Sequence, residues 1–330
     1  MKEAVNLKEI KDAREKIKNL ARRTPLIRSE FLSSFCGGEV YLKLENAQIG
    51  NSFKIRGAFN RMLNASDKEK KRGVITASAG NFAMGIGNSV DKLNIPVKIV
   101  VPKSTPKIKI NNIKKHKVEL ILYGDIYDEA ERRAIELAKE EGLTYISPYN
   151  DKLIIAGNGT IGLEIIEDLP SVTTVIVPTG GGGLISGIST AIKTIKPSVE
   201  ILGVQSNASS AMYASLKAGK IIDVEMRDSI AEGLFGGIEK GSITFEIVRK
   251  YVDEVILVKE ETLRKAIYLL WNKEQQVAEG SGAAAIAPIL ENKNRFVGKT
   301  TVAVISGGNI DEELFQEILA KDAFKRDKYS

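Results

Sequence analysis

Short runs of β-branched and aliphatic residues alternate along this chain with longer stretches whose apolar positions recur at helical spacing. The runs "GVITAS" from Gly73, "VKIVVP" from Val97, "VELILYG" from Val118, "TTVIVP" from Thr173, "VEILGVQ" from Val199, "VDEVILV" from Val252 and "TTVAVIS" from Thr300 predict strands. "EVYLKLE" from Glu39 alternates apolar and polar positions as a further strand. Between them, Ile10, Ala13, Ile17 and Leu20 form a helical stripe over Lys8 to Arg23 that ends at "TPL". "NFAMGIGNSVDKLN" and "LISGISTAIKTIK" read as helices. So does the acidic stretch after Gly124, with Asp125 as expected N-cap, Ile126, Ala130, Ala134 and Leu137 on one face, and Gly142 as its end. A β-α-β alternation of this kind predicts α/β architecture, two lobes with open, mostly parallel sheets flanked by helices.

Composition narrows the class. The 330 residues suit two lobes on a prior of roughly 150 residues each. With 43% apolar and 27% charged residues the chain reads as globular, and no apolar run approaches the roughly 18 residues of a membrane span. The charged, amphipathic N-terminus lacks the apolar core of a signal peptide, so the cytoplasm is the expected location. Cys36 is the single cysteine and His116 the single histidine, which excludes an internal disulfide and any histidine-based triad or multi-histidine metal site within one chain. The net charge is +6, and Lys103 to Lys117 is rich in lysine. No aromatic residues interleave there for base stacking and an acidic helix follows at once, so a solvated surface is expected, no nucleic-acid partner, and His116 on an exposed helix.

Three strand ends run into small-polar, glycine-rich loops: "SAGN" after "VITA", "TGGGG" after "VIVP", and "SGGN" after "VAVI". In open α/β sheets, loops at the carboxyl ends of strands bind ligands, so these three can enclose one small molecule. Four consecutive glycines, Gly180 to Gly183, lead into a helix. A chain without Cβ atoms can turn several N–H groups onto an anion while the positive end of the helix faces it, which favours a phosphate. Neither the dinucleotide spacing nor the P-loop lysine is present. Lys54, between Phe53 and a small-residue helix start in "NSFKIRGA", is a candidate desolvated amine able to form a Schiff base with a carbonyl.

The ordered set "SFKIRGA", "SAGN", "GTIGLEI", "GGGGLISG", "AEGSGAAA" and "SGGNID" resembles the threonine and serine dehydratases among the pyridoxal-phosphate (PLP) enzymes of the tryptophan-synthase β-like fold, fold type II. The resemblance implies a large PLP-binding domain of residues 1–53 and 152–330 and a small domain of residues 54–151. It implies that Lys54 carries the cofactor as a Schiff base, that Phe53 lies against the pyridine ring, and that Gly180, Gly181, Gly182, Gly183 and Leu184 give backbone N–H groups to the phosphate. Asn81 then meets the 3′-hydroxyl and Ser306 the ring nitrogen, where a hydroxyl, unlike a carboxylate, moderates the electron sink. Ser78, Ala79, Gly80 and Asn81 receive the substrate carboxylate, and Glu279 lines the site. The implied reaction is dehydration and deamination of L-threonine, with L-serine as a second substrate, to a 2-oxo acid and ammonia.

Departures refine this expectation. Serine racemases place a second serine, a base on the other substrate face, where Ala79 stands, so racemisation is disfavoured. The carboxylates of their metal site fall at Gln205 and Ala211, so no metal is expected. Phe82, Met84, and Gly50 with Asn51 replace residues that the family usually has as His, Gln and Thr-Gly; the first two are expected to repack a second layer behind the site. A PLP-binding protein without turnover and a nicotinamide oxidoreductase are the competing readings. The chain stops soon after "SGGNID", so no C-terminal sensing domain is expected, and the charged tail from Phe324 is expected to be disordered. The family resemblance implies a homodimer or homotetramer.

Overall fold

A computed structural model describes residues 4–323, and the charged tail from Phe324 lies outside the described residues. Two sheets organise the chain. The larger contains β1 (Leu26–Arg28), β2 (Glu39–Leu44), β7 (Thr174–Pro178), β8 (Glu200–Ser206), β9 (Glu254–Val258) and β10 (Thr300–Ile305), in the spatial order β1-β2-β10-β7-β8-β9. The smaller contains β3 (Val74–Ala77), β4 (Val97–Val101), β5 (Glu119–Leu122) and β6 (Thr144–Tyr145), in the order β5-β4-β3-β6. Every pairing is parallel except that of β1 with β2. Helices cover the sheets, so the central strands are buried on both faces and read as continuous apolar runs rather than alternating ones. The expected α/β class with mostly parallel sheets is the observed one.

The helix Lys152–Asp168 carries no amphipathic signal because it is buried on all sides from Ile154 to Ile165. It packs between the helices Lys54–Leu63 and Gly183–Ile195 at main-chain distance. A Cβ on Gly157 would lie 2.5 Å from the Arg56 carbonyl oxygen and 2.8 Å from the Gly57 Cα, and one on Gly187 would lie 2.3 Å from the Ile155 carbonyl oxygen and 2.5 Å from the Gly159 nitrogen. The glycines of "KIRGA", "AGNG" and "LISG" therefore serve helix-to-helix approach.

Beneath these crossings lies a closed ionic cluster. Arg56 donates to Glu45 through Nε and Nη2, both at 2.8 Å, and to Glu164 through Nη1 at 2.6 Å. Lys43 donates to the other Glu164 oxygen at 2.6 Å and to the Thr24 carbonyl at 2.8 Å. Two cations and two carboxylates are buried together, so each charge is matched where water cannot screen it.

Local expectations are corrected in four places. The first helix is Leu7–Ile17, closed at its start by a reciprocal Asn6–Glu9 capping box, and is shorter than the apolar stripe because Leu20 lies in the following turn. Strand β2 does not alternate at its end, since the ionic cluster draws Lys43 inside. The helix Tyr127–Glu141 has Ile126, not Asp125, as its N-cap; the Glu129 side chain reaches back to the Asp125 N–H at 2.7 Å instead. His116 is neither helical nor free: it sits in a turn with Nδ1 2.7 Å from Asp91, packed where a Cβ on Gly87 would meet its ring.

Candidate active site

The loops that follow β3, β7 and β10 all leave the carboxyl ends of parallel strands. Around the Lys54 amine the surroundings are apolar. Its Nζ lies 5.1 Å from the Phe53 ring centre and 5.7 Å from that of Phe82, and donates to the Pro148 carbonyl at 3.2 Å. Burial of the amine pushes its pKa down to about 8, against a smaller upward pull from the Glu279 charge. Phe82 thus does more than repack a second layer: it is 2% exposed in the core against the smaller sheet, and the same ring walls the amine. Met84 packs, partly buried, on that core.

Pro148 links the amine to the glycine run, because the next residue, Tyr149, lies against it. A Cβ on Gly181 would stand 2.6 Å from the Tyr149 ring, and one on Gly183 would stand 3.0 Å from the Tyr149 Cα. Gly182 has φ +90°, which an L side chain rarely adopts. Behind Gly180, a Cβ would meet the Gly233 carbonyl oxygen at 3.1 Å. The missing side chains are thus explained mainly by protein packed against the loop. The amides of residues 180 to 184 donate to no protein acceptor among the described residues, and those of Gly183 and Leu184 open the helix Gly183–Ile195, where no intrahelical partner exists. Unpaired amides at the positive end of a 13-residue helix fit a phosphate group.

Asn81 begins the helix Asn81–Leu93 and stands between two partners. Its Nδ2 donates to Glu279 at 2.8 Å and its Oδ1 accepts from Asn309 at 2.7 Å, so the amide is fixed with one N–H left over. Glu279, with desolvation outweighing the Asn81 hydrogen bond, has its pKa pushed up to about 7. Ser306 is buried, its hydroxyl 3.4 Å from the Ser281 carbonyl, and its own carbonyl accepts the Phe53 N–H at 3.1 Å. Lys54, Phe53 and Ser306 are therefore neighbours, and Asn81 joins them through Glu279. Ser78, Ala79 and Gly80 lie on the loop before Asn81, with the Gly80 N–H 3.4 Å from the Ser78 hydroxyl; among the described residues no hydrogen bond joins these three to Lys54.

Asn51 takes up its departure from the family pattern structurally. It has φ +55°, which asparagine tolerates, while its carbonyl accepts from Gly308 at 2.8 Å and its amide donates to Asn309 at 3.2 Å. Tyr149 and Pro148 belong to no recognisable sequence motif. The one signal was their place in "SPYN", just before the first turn of a helix.

Comparison with known proteins agrees with this geometry. The profile of the family described as "Pyridoxal-phosphate dependent enzyme" matches residues 17–307. The L-threonine ammonia-lyase of Thermotoga maritima is 45% identical over 322 residues, covering 97% of this chain and 80% of that protein. Among solved structures, the processed form of threonine deaminase isoform 2 from Solanum lycopersicum superposes with a TM-score of 0.90 at 34% identity, covering 96% of this chain and 87% of that one. Maize serine racemase superposes with a TM-score of 0.90 at 31% identity, covering 98% and 99%.

Proposed function

Because the chain belongs to the family of pyridoxal-phosphate-dependent enzymes, we propose that it is a PLP-dependent lyase that dehydrates and deaminates L-threonine to 2-oxobutanoate and ammonia, with Lys54 as its catalytic amine. PLP, when bound, supplies the electron sink for bonds broken at the substrate α-carbon. The observation that carries the residue assignment is the junction at Pro148 and Tyr149, which puts the desolvated Lys54 amine and the row of unpaired glycine amides on one short stretch of chain.

The protein's own groups then divide the work. The amides of residues 180 to 184 hold the phosphate, and Asn81 offers its remaining N–H to the 3′-oxygen. Phe53 and Phe82 keep water from the amine, and with its pKa near 8 a useful fraction of Lys54 is neutral and able to take the α-proton at Nζ. Ser306 gives the ring nitrogen a hydroxyl rather than a carboxylate. The substrate carboxylate goes to Ser78, Ala79, Gly80 and the positive end of the helix Asn81–Leu93. At Ala79 no side chain can move a proton on the opposite face, which favours elimination over racemisation although racemases share the fold. We also propose L-serine as a second substrate, domain limits at 53/54 and 151/152, and a homodimer or homotetramer.

The test is to incubate the protein with PLP and L-threonine and follow 2-oxobutanoate, with borohydride reduction and peptide mass spectrometry to locate the cofactor. Turnover, cofactor mass on Lys54, and loss of both in Lys54→Ala are expected. Native turnover in Lys54→Ala overturns the assignment.

A further inference from the structure

The glycine run is gripped by two side chains that belong to no glycine motif. The Tyr149 ring and backbone occupy the places that side chains at residues 181 and 183 would need. Its hydroxyl accepts the Glu239 N–H at 2.9 Å, and the Glu239 carboxylate in turn accepts from Ser147 at 2.6 Å and Asn150 at 2.7 Å, so the tyrosine is held at both ends. From another segment, the buried Thr244 hydroxyl donates to the Gly181 carbonyl at 2.6 Å. The Thr244 side chain also stands 3.0 Å from where a Gly182 Cβ would be.

A trans peptide points its C=O and the following N–H in opposite directions. Holding the Gly181 carbonyl on Thr244 therefore turns the Gly182 N–H away from Thr244 and fixes its direction. Without the threonine hydroxyl, a loop of glycines is free to rotate that peptide, and the amide loses its aim.

We propose that Tyr149 and Thr244 form a clasp that aims the glycine amides at the anion, and that they are positioning residues for phosphate binding rather than parts of the bare fold. This rests on the reading of the loop as the PLP phosphate cradle. Because Pro148 accepts from Lys54, the clasp also sets the cradle in register with the amine.

The experiment measures dissociation constants of inorganic phosphate and of PLP for the cofactor-free protein by calorimetry, alongside kcat at saturating PLP. Thr244→Val keeps the shape and removes the hydroxyl, and is expected to weaken both ligands by about tenfold or more, a typical effect of leaving a buried acceptor unpaired. Thr244→Ser is expected to restore binding to within about threefold, as a hydroxyl donor suffices. Tyr149→Ala is expected to weaken phosphate by a similar factor, and Tyr149→Phe to lose little, since the ring does the bracing. At saturating PLP, kcat for Thr244→Val is expected to stay within about threefold of wild type, a split that general destabilisation does not produce. Wild-type affinity for both ligands in Thr244→Val and Tyr149→Ala overturns the clasp alone. Failure of the wild-type protein itself to bind phosphate or PLP overturns the cradle reading, and the clasp with it.

Discussion

The Asn81 side-chain amide donates to the Glu279 carboxylate at 2.8 Å, joining the loop after β3 to the segment that packs beside the loop after β10. Among the described residues no cation stands within ion-pair distance of the carboxylate, and burial raises its pKa from 4.5 to about 7. Folded protein thus binds this proton more tightly than unfolded chain. The stabilisation is complete below about pH 4.5 and is lost as pH rises through about 7. The stability difference between wild type and Glu279→Gln, from urea unfolding of the cofactor-free protein, is expected to move against wild type by up to about 3 kcal/mol between pH 4.5 and 8. A flat difference means that Glu279 titrates as an ordinary carboxylate.

Lys54 gives the opposite slope. Its folded pKa of about 8 lies below the ordinary 10.5, so the unfolded chain holds the proton more tightly. In the cofactor-free protein, the cost is full below about pH 8 and is relieved as pH rises toward 10.5. Lys54→Met is expected to be more stable than wild type at pH 7 by on the order of 3 kcal/mol, with the gap closing above pH 10. Its turnover of L-threonine is expected to fall by at least about 10²- to 10⁴-fold. Melting curves across pH and 2-oxobutanoate assays check the two halves separately.

Arg56 is the hub of the buried ionic cluster, and both of its carboxylate partners are also enclosed. Replacing it by methionine leaves Glu45 without a cation and Glu164 with Lys43 alone. Arg56→Met is expected to cost about 3–5 kcal/mol in chemical unfolding. Because Arg56 lies two residues beyond Lys54 on the same helix, weaker PLP binding is expected with it.

Gly187→Ala adds a methyl where the Ile155 carbonyl oxygen already stands 2.3 Å from the Cβ position. The helices must separate, and a loss of about 1–3 kcal/mol in unfolding free energy is expected. Gly219→Ala is the control: nothing lies within 4 Å of its Cβ position, so only the strain of φ +69° is paid there.

What the sequence made legible is what depends on local chemistry. Alternating β and α segments gave the layers, because strands in parallel sheets are buried on both faces and announce themselves as apolar runs. Lys54 and the three loops were legible through their ordered motifs. The helix Lys152–Asp168 was not, because burial on every side erases the periodicity that reveals a helix. Nor were Tyr149 and Thr244, whose roles arise only when segments 32 and 63 residues distant from Gly181 fold against it. The four glycines pointed to an anion from the sequence, and the structure adds that their bareness also serves what lies behind them. Asp125 stands one residue before the observed cap, Ile126, and its N–H donates to the Glu129 carboxylate.

The glycine crossings of the helix Lys152–Asp168 have a consequence for heat. Spacing between Lys54 and the amides of residues 180 to 184 is transmitted through helices that approach main chain to main chain at Gly157 and Gly187. Such a gauge keeps its setting while side chains elsewhere loosen. Release of the cofactor on warming is therefore expected to coincide with melting of these three helices as one unit, and not to precede it.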